Sequence, residues 1–181
     1  MSGKKTILKY EILSFLFIII IGSLLHFVFK WSGGSKIVAY FAAVNESVWE
    51  HLKLAFFPAL FFSVIEFPFV KKYAKNYFLG KIIGFYIMPI TIVALFYIYL
   101  FIFKEHSLVW DIFTFIFAVF LGVYITYKFL TKPKDLGKNY KTISIILFLI
   151  IFIAFSLLTY FPLKIPLFKD PLTKEYGIIN H

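Results

Sequence analysis

Five apolar stretches dominate this chain: Ile12–Phe29, Leu54–Val70, Ile82–Phe103, Leu108–Leu130 and Ile143–Phe161. Each is close to the roughly 20 residues an α-helix needs to cross the ~30 Å hydrocarbon layer of a bilayer. Nothing in that layer replaces water as a backbone partner, so only helices or closed barrels span it, and runs of this length select helices. Composition removes the soluble alternative. The 181 residues are 61% hydrophobic and only 15% charged, against roughly 25% charged in soluble domains. A soluble domain of this size has too much surface for its volume to hide so many apolar side chains. The expected fold class is all-α: an integral membrane bundle of five transmembrane helices, forming one membrane domain over 1–181 with an outer tail at 162–181.

The edges of the spans carry further information. Lys4, Lys5 and Lys9 precede the first run, and Trp31 follows it. The run is longer than the ~7–15 apolar residues of a signal peptide, so it reads as an uncleaved span. Pro58 and Pro89 lie inside the second and third runs and predict kinks rather than breaks. Residues 37–44 are as apolar as a span but too short to be one. Joined to the second run they would make a helix of ~50 Å, far beyond the hydrocarbon thickness. An interfacial or re-entrant segment is therefore expected before the second span.

Five spans place the chain ends on opposite sides. With the N-terminus in the cytoplasm, the cytoplasmic segments hold 12 of the 19 lysines and the other side holds 7. That bias favours a multi-pass protein of the cell (plasma) membrane, N-terminus cytoplasmic and C-terminus outside. The expected partner is the lipid bilayer. Every basic residue is lysine. The lack of arginine's bidentate fork argues against nucleic acid as a partner. With no cysteine, disulfides, thiolate metal ligands and cysteine nucleophiles are excluded.

On this topology the polar groups segregate. His26, Asn45, Glu46, Glu50, His51, Lys53, Glu105, His106, Asp111, Asp170, Glu175 and His181 fall at the outer end, whereas Glu11 and Glu66 fall near the inner one. Glu66 is expected to pair with Lys71 or Lys72 at the interface. His26 and Asp111 lie within their apolar runs, where an unpaired charge is expensive, so both should turn toward the bundle interior.

The densest stretch is VNESVWEHLKL, Val44 to Leu54. On a helix, Glu46 and Glu50 are four residues apart and share a face, with Lys53 joining Glu50. One reading is an amphipathic entry to the second span, with a Glu50–Lys53 pair and Trp49 in the aromatic belt. The other is a site. Carboxylates and imidazoles together suit a divalent metal such as zinc, manganese or iron, and they also serve acid–base chemistry. In that reading Glu50 and His51 are the catalytic pair. His26, Glu46, Asp111 and Asp170 are the candidate metal ligands, and Asn45, Ser47, Trp49 and Lys53 complete the polar surroundings. The spacing is permissive only, since it is not the HExxH pattern of two histidines one turn apart with a glutamate.

The strings VNESVWEHLKLAFFP and PLFKDPLTKEYG (Pro166 to Gly177) resemble an uncharacterised family of small bacterial multi-pass membrane proteins, a domain of unknown function. The resemblance rests on Asn45, Glu46, Trp49, Glu50, His51, Asp170 and Gly177 and implies no activity. The tail carries Pro162, Pro166 and Pro171 among apolar residues, so it cannot form a long helix. It is expected either to fold over the outer ends of the spans, bringing Asp170 toward His26 and Glu50, or to lie as an interfacial strap. Three functions stay open: a metal-assisted hydrolase of a lipid or amphiphile, a structural or partner-binding membrane subunit, and a small-solute transporter, which would require a homo-oligomer.

Overall fold

The computed structural model describes residues 2–178. In order they form α1 (Ser2–Trp31), α2 (Lys36–Ala39), α3 (Val48–Val70), α4 (Tyr77–Phe103), α5 (Leu108–Leu130), α6 (Lys138–Tyr160) and a 3₁₀ turn, Pro166–Phe168. All but α2 and the 3₁₀ turn are long and apolar enough to cross a membrane, which makes five such helices. Four of them start earlier than the apolar runs do, α1 at Ser2 rather than residue 12 and α3 at Val48 rather than 54, while α5 starts with its run at Leu108. Lysine is a good helix former and can lead its charge out along the helix, so the polar first turns stay helical although hydropathy does not mark them. Pro58 and Pro68 lie inside α3 and Pro89 inside α4, and both helices continue through them.

α3 is the hub. More than half of its apolar window is buried, against under a third for each of the other four helices. It packs on α1 and α4, α4 packs on α5 and α6, and α5 closes back on α1. Close approach is set by small residues. A Cβ at Gly22 on α1 would stand 2.4 Å from the Leu54 carbonyl oxygen of α3, and a backbone atom cannot step aside. Small residues that admit such approach are how helices associate where lipid removes the hydrophobic drive between them. Gly22→Ala is therefore expected to destabilise the bundle by about 1–3 kcal/mol. Ser23→Ala, on the exposed side of the same turn, should change little. Thermal unfolding in a mild detergent measures both.

The chain between α1 and α3 turns at Gly33 and Gly34, both with positive φ, makes the single turn of α2, and runs irregularly to Ser47. Ala39, Ala42, Ala43 and Val44 are buried. One side of the segment is thus tucked among the helix ends, while Ile37 and Tyr40 on the other are exposed.

At the opposite end of the bundle a buried ionic cluster joins three helices. Lys81 Nζ of α4 lies 2.8 Å from Glu11 Oε1 of α1 and 2.5 Å from Glu66 Oε1 of α3. The Tyr77 hydroxyl adds a 3.0 Å hydrogen bond to the same Glu66 oxygen. This corrects the expectation for Glu66. Its partner is Lys81 across the helix interface, while Lys71 and Lys72 stand over the rings of Phe67 and Tyr73. Glu66 is fully buried, out of reach of lysines in the solvated turn that follows its own helix.

Candidate metal centre

The site is built around the start of α3. Ser47 is its N-cap, with a side chain that accepts the Glu50 amide hydrogen at 3.4 Å. The helix therefore begins after Glu46, and the shared helical face expected for Glu46 and Glu50 does not form. The two carboxylates part company.

Glu46 turns to the imidazoles. Its Oε2 lies 3.3 Å from His26 Nε2 and 3.5 Å from His51 Nε2, and the two Nε2 atoms are 3.1 Å apart. The three ligand atoms form a small triangle, all within 4.8 Å of one another. His26 comes from the last turns of α1, Glu46 from the irregular segment and His51 from the first turn of α3. The side chains of His26, Glu46 and His51 are 29%, 42% and 33% exposed, so the triangle is reachable from outside.

The protonation of His51 follows from its neighbours. Its Nδ1 is 2.8 Å from the Ser47 carbonyl oxygen, which can only accept. Nδ1 therefore carries hydrogen, and in the neutral ring Nε2 presents a bare lone pair to the triangle. A carbonyl that accepts the other ring N–H is the usual support of a metal-binding imidazole. Hydrogen bonds from His26, then from His51, hold the Glu46 carboxyl well below the usual carboxylate range, so it is anionic at any ordinary pH. For both rings to donate to it at once, His51 must be an imidazolium. With His51 neutral, its Nε2 and the Glu46 oxygen face each other at 3.5 Å lone pair to lone pair, a contact that an extra proton or a cation would relieve.

Glu50 enters a different network. Its Oε2 is 2.6 Å from Lys53 Nζ and accepts the Val44 amide hydrogen, while Oε1 accepts from the Thr159 hydroxyl. Lys53 also donates to the Ala39 carbonyl and to Thr159 Oγ1, both at 2.9 Å. Glu50 and Lys53 are fully buried, so the pair is an interior tie between α2, α3 and α6. Thr159 had no mark in the sequence beyond being a hydroxyl near the end of an apolar run.

The tail does fold over this end. Asp170, buried, accepts the Glu46 amide hydrogen through Oδ2 at 2.9 Å and the Leu172 and Thr173 amide hydrogens through Oδ1. Its oxygens are thereby committed to positioning the Glu46 backbone. Asn45 Nδ2 donates to the Gly177 carbonyl at 2.8 Å, and Phe168 stacks on Trp49 at 4.6 Å. Trp49 is anchored under the tail and against Phe155. Asp111, on the first turn of α5, is not part of the triangle. His181 lies outside the described residues.

No curated protein and no solved structure matches this chain. A family does, along almost its entire length: from residue 2 to residue 178 the chain belongs to DUF6512, a family of unknown function.

Proposed function

We propose that His26, Glu46 and His51 bind one divalent metal ion, zinc by preference, and that the site hydrolyses a bond in a lipid or other amphiphile at the membrane surface. The observation that carries this is the size of the triangle. Metal–ligand bonds of 2.0–2.1 Å place the donors of a tetrahedral zinc about 3.4 Å apart, whereas adjacent donors on an octahedral ion of that bond length stand about 2.9 Å apart. The observed 3.1, 3.3 and 3.5 Å lie on average nearer the tetrahedral value. Two imidazoles and a carboxylate leave the fourth position open, which is the ligand count of catalytic rather than structural zinc. A zinc ion there would lower the pKa of a bound water to about 7 and polarise an acyl or phosphoryl oxygen.

The residues around the triangle support it in separate ways. Ser47 orients His51, and Asp170 fixes the Glu46 backbone. Glu50 and Lys53 hold the frame, a structural part in this reading. Asp111 is the candidate for proton transfer. The chain is read with its N-terminus in the cytoplasm and this site on the outer face of the cell membrane, on the strength of the lysine bias. A conduit is disfavoured. Between the two polar ends the described interior is closed by Ile18, Phe56, Phe85, Met88 and Phe155.

Purified protein, stripped with a chelator and dialysed against zinc, should retain about one equivalent per chain by elemental analysis. It should release a water-soluble product from phospholipid vesicles only when loaded. Retention of no zinc, manganese or iron would remove the metal. One equivalent without hydrolysis would leave a metal-binding subunit.

A further inference from the structure

We infer that the opposite end of the bundle holds a binding site for one anionic phospholipid, with its headgroup among lysines and an acyl chain in an apolar cleft. Two adjoining cavities carry the inference. A polar one of about 400 Å³ lies between the α3–α4 turn, the 131–137 loop and the start of α6, and Lys71, Lys75, Asn76, Asp135 and Lys141 line it. An apolar one of about 310 Å³ lies between α3, α4 and α6, walled by Leu60, Val64, Phe85, Ile145 and Phe148. Phe67, Tyr77 and Phe78 line both, so the two adjoin along these rings. Each falls in the range of small-molecule sites, about 300–1,000 Å³.

The chemistry of the two halves differs as that of an amphiphile does. Among the described lining residues of the polar half, three lysines stand against one acid, Asp135, an excess of two positive charges. None of the three is ion-paired among the described residues. Lys71 and Lys141 place their ammonium groups over the rings of Phe67 and Phe78, at 5.2 and 5.3 Å. Those rings are themselves 5.8 Å apart at the seam of the two cavities. A phosphate beside these ammonium groups would sit where its acyl chain could turn directly into the cleft. The pocket wall is built: Asn76 donates to the Lys134 carbonyl and accepts the Leu136 amide hydrogen, pinning the loop across the headgroup region. Lysine pockets between transmembrane helices are a recurrent form of anionic-lipid recognition, each lysine contributing about fivefold in affinity.

The test uses the full chain in a neutral detergent, with native mass spectrometry to count bound lipid. Phosphatidylglycerol should be retained at one per chain, at least tenfold over phosphatidylcholine of the same chains. The Lys71→Gln/Lys75→Gln/Lys141→Gln variant should lose that preference. Val64→Trp narrows the cleft from an exposed position that does not endanger folding. It should weaken phosphatidylglycerol several-fold while leaving thermal stability unchanged. Equal retention of the two lipids would overturn the proposal. So would an equal loss on replacing Lys104 and Lys164 at the other end, which would mean diffuse attraction. Competition by soluble glycerol phosphate as effective as the lipid itself would overturn the acyl half.

Discussion

Lys53→Met should lower the free energy of unfolding by about 3–5 kcal/mol, and Glu50→Leu introduced with it should recover most of the loss. Lys53 is fully buried, and its ammonium has three partners: Glu50, the Ala39 carbonyl and Thr159. Methionine fills similar volume but strips Glu50 of its counter-charge. The Glu50 carboxylate keeps the Val44 amide and the Thr159 hydroxyl, two neutral donors against a buried anion. Removing both charges together leaves no ion to desolvate, and replacing a buried pair by apolar side chains is often neutral. The double-mutant cycle isolates the coupling. Denaturant titration of the wild type and the three variants in detergent measures it. A single Lys53→Met variant as stable as wild type would show that the network does not hold α2, α3 and α6 together. The same reasoning applies to Lys81, with one difference. There two carboxylates, Glu11 and Glu66, lose the same partner, so one apolar replacement cannot compensate.

What could be read in advance follows the range of each interaction. The five spans were legible because hydropathy is a property of consecutive residues. The pairing of Glu66 was not. Lys81 stands one residue before an apolar run and looks like a loop lysine, yet α4 begins at Tyr77. Helix rotation then decides which neighbour it meets. The triangle was half legible. His26 and Glu46 stood among the candidate ligands with Asp111 and Asp170, whereas His51 was paired with Glu50 for acid–base work and not as a ligand. The separation of Glu46 from Glu50 had a local sign. Ser47-Val48-Trp49-Glu50 is a capping-box pattern, which starts a helix at Val48. Glu50 departs from the ideal box by reaching back to the Val44 amide. Asp170 needed the tail's path over the bundle, because its partner Glu46 lies 124 residues away.

The metal reading orders the variants by distance from the ion. His51→Ala should weaken zinc binding by well over 100-fold, because it removes one of three donors, a larger effect than the 10–100-fold typical of losing a group that only orients a ligand. Asp170→Ala falls in that 10–100-fold range. It leaves every donor in place but releases the Glu46 amide and the two tail amides held with it, so the carboxylate must be ordered again when the ion arrives. Glu50→Gln, measured where the variant is still folded, should leave zinc affinity within a few-fold of wild type, since its oxygens face Lys53 and Thr159. Competition with a chromogenic zinc chelator reads all three. A second readout is stability. At zinc concentrations 100-fold above Kd the wild type should gain about 2.7 kcal/mol, and His51→Ala should gain none. A different order, with Glu50→Gln as damaging as His51→Ala and Asp170→Ala silent, would place the ion between Glu50 and His51 and dismiss the triangle. His51→Ala binding zinc as tightly as wild type would leave the three side chains as a hydrogen-bonded cluster around a proton.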